Sequence, residues 1–150
     1  MTIRLADRGD LNTVADTIVE FLGNTSYDNH TAGNVNIQYI RRLVFNVLST
    51  GYIWVWEQEG EILGLLAAIK EPNVWIPTKS SLRELIWYVK PGHRGNASAG
   101  KLFVKFCQTG EALLQSGLIQ GYFTTRMGTT ADYDLESRGF RLVEKLYLKD

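Results

Sequence analysis

Three stretches of strand-type sequence, Tyr52–Glu57, Ile62–Lys70 and Leu82–Val89, follow one another with no helical pattern between them. The first two are dense in β-branched, aromatic and aliphatic residues. They are separated by Gln58–Glu59–Gly60–Glu61 and read as a β-hairpin. The third follows Glu71–Ser81, which holds two of the three prolines and predicts a loop. Parallel neighbours need a long crossover, usually a helix, whereas antiparallel neighbours need only a turn. Strands joined in this way build a sheet that is antiparallel at its centre. That pattern excludes a doubly wound parallel sheet.

Helical patterns flank this block. Thr2–Ala6 reads as a short first strand, after which Asp7 stands at an N-cap position and Asp10 in the first turn, where the helix dipole favours an acid. Leu11, Val14, Ala15, Ile18 and Leu22 then lay one apolar stripe on a helix that Gly23 closes. Residues 23–35 are polar and glycine-bearing and predict a loop; Asn36 caps a second helix with Ile40, Leu43, Val44 and Val47 on its buried face. From Ser98, the residues Leu102, Phe103, Phe106, Cys107, Leu113 and Leu114 mark a long amphipathic helix that stops near Gly117. Leu118–Thr125 predicts a fifth strand, Thr130–Arg138 a short helix and Phe140–Lys149 a last strand. The order β-α-α-β-β-β-α-β-α-β gives an α/β (α+β) fold. Residues 1–150 form one domain around a mixed central sheet of about six strands flanked by helices.

Charge and composition narrow the function. Lys plus Arg total 16 and Asp plus Glu total 16, so nothing advertises a nucleic-acid or anionic-membrane partner. The distribution is uneven, with five basic and nine acidic side chains up to residue 75 and eleven and seven beyond it. An anionic small ligand is therefore met better by the second half. Cys107 is the only cysteine, and His30 and His93 are the only histidines, so no metal site is expected. The opening MTIRLADRGD has no basic-then-apolar leader, and the longest apolar run, Ile62–Ile69, falls far short of the ~20 residues of a membrane helix. The expectation is a soluble, cytoplasmic chain in which the sequons at Asn24, Asn29 and Asn96 are accidental.

The segment that carries chemistry is Trp87–Phe103, WYVKPGHRGNASAGKLF. A strand runs into Pro91, then through small residues straight into a helix, whose first N–H groups are unbonded and carry a partial positive charge. Gly95, Ala97, Ala99 and Gly100 leave those groups uncovered, and Arg94 adds a fixed charge, which suits an anion such as a pyrophosphate. The glycine-lysine-serine ending of a P-loop is absent.

The pattern V-x-P-x-x-R-G-x-x-x-A at Val89–Ala99 resembles motif A of the Gcn5-related N-acetyltransferases, the GNAT family. The family pattern Arg/Gln-x-x-Gly-x-Gly/Ala reads here Arg94-Gly95-Asn96-Ala97-Ser98-Ala99, with Ala97 in place of a glycine. Ala131 and Gly139-Phe140 fall in a second family motif, and the order of elements is similar over the whole chain.

This resemblance implies transfer of an acetyl group from acetyl-CoA to a primary amine of a small molecule or protein, by direct attack on the thioester. It implies that Arg94, Gly95, Asn96, Ala97, Ser98, Ala99 and Gly100 hold the pyrophosphate and that the backbone of Trp87, Tyr88 and Val89 pairs with pantetheine. Glu84 is the candidate general base, placed by strand alternation on the face of Ile86 and Tyr88. The family's frequent acid, a tyrosine, falls at Leu135. Tyr133 lies about 200° away around a helix and is expected to face elsewhere, and the motif's asparagine is Gly128. Many members of the family dimerise, so a homodimer is an option. The competing reading, motivated by Ala97, Gly128 and Leu135, is a non-catalytic module of the same fold that binds a CoA derivative or a protein partner. Nucleic-acid binding through Arg94, Lys101 and Lys105 is disfavoured by the zero net charge.

Three other features have plain structural explanations, and a fourth has a candidate role. His93 is expected to be solvated and Cys107 to be a small buried hydrophobe. Tyr52, Trp54 and Trp56 share one sheet face and are expected in the core. Trp75 stands in the loop before the fourth strand and is a candidate for the wall of an acceptor pocket.

Overall fold

The hairpin at the centre is the element from which the rest is placed. In the computed structural model, which describes residues 1–24, 34–125, 133–147 and 149, β2 (Tyr52–Gln58) and β3 (Glu61–Pro72) pair antiparallel. Glu59 and Gly60 between them both have positive φ, 53° and 79°, the combination that matches the strands' own twist. β3 pairs in turn with β4 (Ser80–Val89), and β2 with β1 (Thr2–Leu5), both antiparallel. β5 (Gly121–Phe123) is parallel to β4, so the sheet is mixed, in the order β1-β2-β3-β4-β5.

Helices cover both faces. α1 (Leu11–Gly23) and α2 (Ile37–Thr50) set Val14, Ala15, Ile40, Val44 and Val47 against Ile53, Val55, Leu65 and Ala67. α3 (Ala97–Gln115) sets Leu102, Phe103 and Phe106 against Trp54, Trp56, Leu66 and Leu82. β2 and β3 are therefore buried on both sides, which is why their sequences run apolar without alternation. The expected α1 is shortened at its start. Asp7 caps a single 3-10 turn, Arg8–Asp10, and shares a reciprocal capping box with Asp10, whose carboxylate also takes a fork from Arg4 at 2.7 and 3.0 Å.

The end of the chain departs from expectation. The fifth strand is three residues long instead of Leu118–Thr125, and the described part of Thr130–Arg138 is a 3-10 turn at Glu136–Arg138. Residues 140–147 form no strand, so the described sheet has five strands and not about six. A three-residue β5 offers little edge for another strand to pair with.

α3 meets β5 through a contact that leaves no room for a side chain. A Cβ at Gly110 would stand 2.6 Å from Cγ of Tyr122. That ring is held by Phe106 at 5.5 Å, Phe140 at 5.3 Å and a 2.7 Å hydrogen bond from its hydroxyl to Glu111. Gly110→Ala is expected to lower stability by up to about 2 kcal/mol, because overpacking of ~1–3 kcal/mol outweighs the roughly 1 kcal/mol that alanine gains in a helix. Urea unfolding measures it, and an unchanged midpoint would show that the ring yields freely.

Candidate active site

β4 pairs with β3 along its whole length but with β5 only through Ser81, Leu82 and Arg83. Beyond that point the two parallel strands part, and the β5-facing edge of Glu84–Val89 has no strand partner among the described residues. A bulge at Leu85 accompanies the split: Ala67 stands opposite Ile86 while Ala68 stands opposite Glu84. A bulge bends its strand and leaves one residue unpaired. The result is a V-shaped gap with its apex at Arg83 and Phe123.

The bulge also corrects the expected face of Glu84. Strict alternation would group it with Ile86 and Tyr88, which belong to the cluster under α1 and α2. The extra residue resets the period, so Glu84 shares the α3 side with its neighbour Ala68 and with Leu82. There it is only 5% exposed, at the apex of the V. Its Oε2 accepts from Thr124 Oγ1 at 3.1 Å, from Thr125 N–H at 3.0 Å and from Thr125 Oγ1 at 3.3 Å. Its Oε1 accepts no hydrogen bond among the described residues. Burial pushes the carboxyl above the usual range, and the three donors partly restrain it.

At the mouth of the V the chain turns through Pro91-Gly92 and Gly95 into α3. Gly95 has φ +77° with open space where a side chain would begin, so the loop bends sharply without covering the helix end. Asn96 is the N-cap; its Oδ1 accepts the Ser98 N–H at 3.0 Å. Ala97 is exposed, and Ala99 and Gly100 are half-buried. The Ser98 hydroxyl points away from the helix end, to Met1 Sδ at 3.1 Å. The Arg94 Nε donates to the Val89 carbonyl at 3.0 Å, and the guanidinium lies 5.6 Å from the Tyr88 ring centre. The loop and the free strand edge are thus one continuous site. Tyr88 faces the opposite way from Trp87, donating to Glu20 at 2.8 Å, and burial with that bond pushes its pKa up to about 12.

Tyr133 overturns the expectation that it faces elsewhere. It precedes the 3-10 turn instead of riding on a helix, so the helical angle does not apply. Its ring packs edge-on against Trp87 at 4.9 Å and Phe103 at 5.2 Å, with the Arg138 guanidinium 4.7 Å away. Its hydroxyl is buried without a hydrogen-bond partner among the described residues and lies 3.9 Å from where a Cβ at Gly100 would stand. Burial raises its pKa, so the group stays protonated. A signal for it existed in the sequence, since this tyrosine is two positions from the one the motif expects. Assuming a helix there hid it.

No family model matches the sequence, and no curated protein matches it. Solved structures do. A possible acetyltransferase from Clostridium difficile 630 superposes with a TM-score of 0.70 at 15% identity, covering 99% of this chain and 96% of the other. The chain has the fold of the GNAT acetyltransferases. A predicted acetyltransferase with acetyl-CoA from Clostridium acetobutylicum gives a TM-score of 0.66 at 18% identity over 99% and 95% of the two chains. A GNAT family acetyltransferase from Staphylococcus aureus gives 0.66 at 11% identity over 99% and 97%.

Within this GNAT fold, the remaining candidates take plain roles. Trp54 and Trp56 are core, and Tyr52 stacks on Trp54 at 5.4 Å. His93 lies edge-on to Trp56 at 5.9 Å, and Cys107 is half-buried against the α3-side core. Trp75 is 88% exposed. Asn73 holds that loop by accepting from the Trp75 and Ile76 N–H groups, which leaves the indole pointing outward. Ala131 and Gly128 lie outside the described residues. Among the described residues no cluster could hold a metal ion, and no helix is long and apolar enough to cross a membrane.

Proposed function

We propose that this chain is an acetyl-CoA-dependent N-acetyltransferase that acts on a primary amine of a small molecule or protein. The observation that carries the reading is the V between β4 and β5, with a buried carboxylate at its apex and a helix N-terminus at its mouth. The residues present fit acetyl-CoA. Gly95 and Gly100 leave the helix end open, the edge of β4 from Glu84 to Val89 has no strand partner among the described residues, and the buried Tyr133 hydroxyl beside Gly100 has no hydrogen-bond partner among them.

Arg94, Gly95, Asn96, Ala97, Ser98, Ala99 and Gly100 would hold the diphosphate through charge, helix dipole and backbone N–H groups. Ala97 lies where the family has glycine, and it is exposed. Trp87, Tyr88 and Val89 would pair with pantetheine, as an added strand does. When bound, the coenzyme supplies an activated acetyl thioester.

An alkylamine of pKa ~10.4 is neutral in fewer than about one molecule in a thousand at pH 7, so attack needs a proton acceptor. Glu84 supports that role: Oε2 is pinned by the threonines, Oε1 accepts no hydrogen bond among the described residues, and the raised pKa makes the carboxylate a better base. Tyr133, kept protonated by burial, is the proposed donor of a proton to the departing sulfur. Main-chain N–H groups at the free edge of β4 are the donors available for the developing oxyanion.

Calorimetric titration with acetyl-CoA, with adenosine diphosphate as control, tests the reading. The expected result is binding near or below ~1 μM, about −8 kcal/mol, followed by thiol release with an amine panel. The absence of heat at millimolar coenzyme would overturn the coenzyme site. Binding without turnover of any amine would favour the non-catalytic module.

A further inference from the structure

α2 buries one side of itself through Ile40, Val44 and Val47 and presents another, polar side. Gln38, Arg41, Arg42, Phe45 and Asn46 recur there at three- and four-residue spacing, so they share one stripe of the helix. With Leu11 of α1 they line a cavity of about 380 Å³, within the roughly 300–1,000 Å³ of small-molecule sites. Arg8 reaches the same wall from the 3-10 turn, its guanidinium 5.6 Å from the centre of the Phe45 ring.

The charge at this cavity is uncompensated. Up to residue 75 the chain holds five basic side chains against nine acidic ones, and three of the five, Arg8, Arg41 and Arg42, meet here. α2 carries no Asp or Glu between Ile37 and Thr50. Arg4 is held by Asp10 and Glu57, whereas none of these three arginines forms an ion pair or a side-chain hydrogen bond among the described residues. The Nε of Arg41 is buried and has no hydrogen-bond partner among them. A buried charged donor left unpaired is unfavourable, and an anion that reaches it relieves the cost.

We propose that this cavity binds the phosphoryl group of a small phosphate monoester whose apolar body lies against Phe45 and Leu11. Guanidinium forks match the oxygens of a phosphate. A monoester carries about −1.5 to −2 at neutral pH, a better match for three arginines than the single charge of a carboxylate. Gln38 and Asn46 add amide donors. Phe45, 45% exposed, and the half-buried Leu11 supply an apolar wall that inorganic phosphate leaves uncovered. The cavity is separate from the V. None of its residues belongs to β4, β5 or the loop into α3, and Arg8 follows β1, the strand at the opposite edge of the sheet.

Heteronuclear NMR of the full chain at neutral pH, titrated with phenyl phosphate and separately with inorganic phosphate, tests this. The Arg41 Nε–H and the amides of residues 38–46 are expected to shift and saturate. The ester should bind at least about fivefold more tightly than inorganic phosphate, because its ring is buried as well. Arg42 is exposed, so Arg42→Gln should leave circular dichroism unchanged while weakening the ester at least about tenfold. No shift at millimolar ester overturns the proposal, as do shifts confined to residues 95–100, which put the phosphate at the α3 end. Equal affinity for inorganic phosphate overturns the assignment to an ester. Parental affinity in Arg42→Gln overturns the role of the arginines.

Discussion

Glu84→Gln lowers acetyl transfer by about 10²–10⁴-fold, the range a positioned general base contributes, while acetyl-CoA affinity stays nearly as it was. The expectation follows from location. Glu84 lies at the apex of the V, away from the α3 N-terminus where the diphosphate is read, and glutamine keeps an oxygen for the Thr124 and Thr125 donors. The pH profile of kcat/KM separates loss of a base from loss of shape. In the parent chain the rate falls as pH drops through the carboxyl's pKa, which burial holds above the ~4.3 of a free glutamate. In the variant that acid limb disappears.

Stability has the opposite sign. A carboxyl with a raised pKa binds its proton more tightly when folded, so its contribution is present below the ordinary value and is lost as pH rises towards the raised one. The variant therefore compares better with the parent at neutral than at acid pH. An unchanged rate would remove Glu84 from the mechanism.

Tyr133→Phe has the next largest effect, with turnover expected to fall about 10²-fold or more if the hydroxyl is the proton donor to the leaving thiolate. Folding is a small part of this change. The hydroxyl has no hydrogen-bond partner, so removing it leaves no donor or acceptor stranded, and the ring keeps its packing on Trp87 and Phe103. The melting temperature should stay level or rise. A steady-state titration checks the prediction: kcat drops while KM for the coenzyme changes little. A variant with parental kcat would leave the leaving sulfur to take its proton from water.

Which features could be read from the sequence depended on how local their causes are. The hairpin, both flanking helices and the cradle loop follow from neighbours in the chain. Gly60 sits in a two-residue turn, Asn36 and Asn96 cap the helices they precede, and apolar stripes recur at helical spacing. Glu84 was identified for the right neighbourhood but on the wrong side, because one bulge residue, Leu85, shifts every side chain before it relative to those after it. No propensity marks such a bulge. Tyr133 was misplaced for a related reason: an angle around a helix means nothing where the chain forms only a single 3-10 turn beyond it. The strand-type sequence of Phe140–Lys149 records what a segment can pair with and not whether a partner strand lies within reach.

The Asn96 cap gives the site a property of its own. Its side-chain oxygen already occupies the Ser98 N–H, a donor that a coenzyme phosphate would seek. The cap therefore keeps α3 wound to its first turn, so the helix end is a finished surface instead of a fraying one. On the proposed function, a coenzyme phosphate that takes the Ser98 N–H displaces an oxygen already in place, so binding exchanges one hydrogen bond for another.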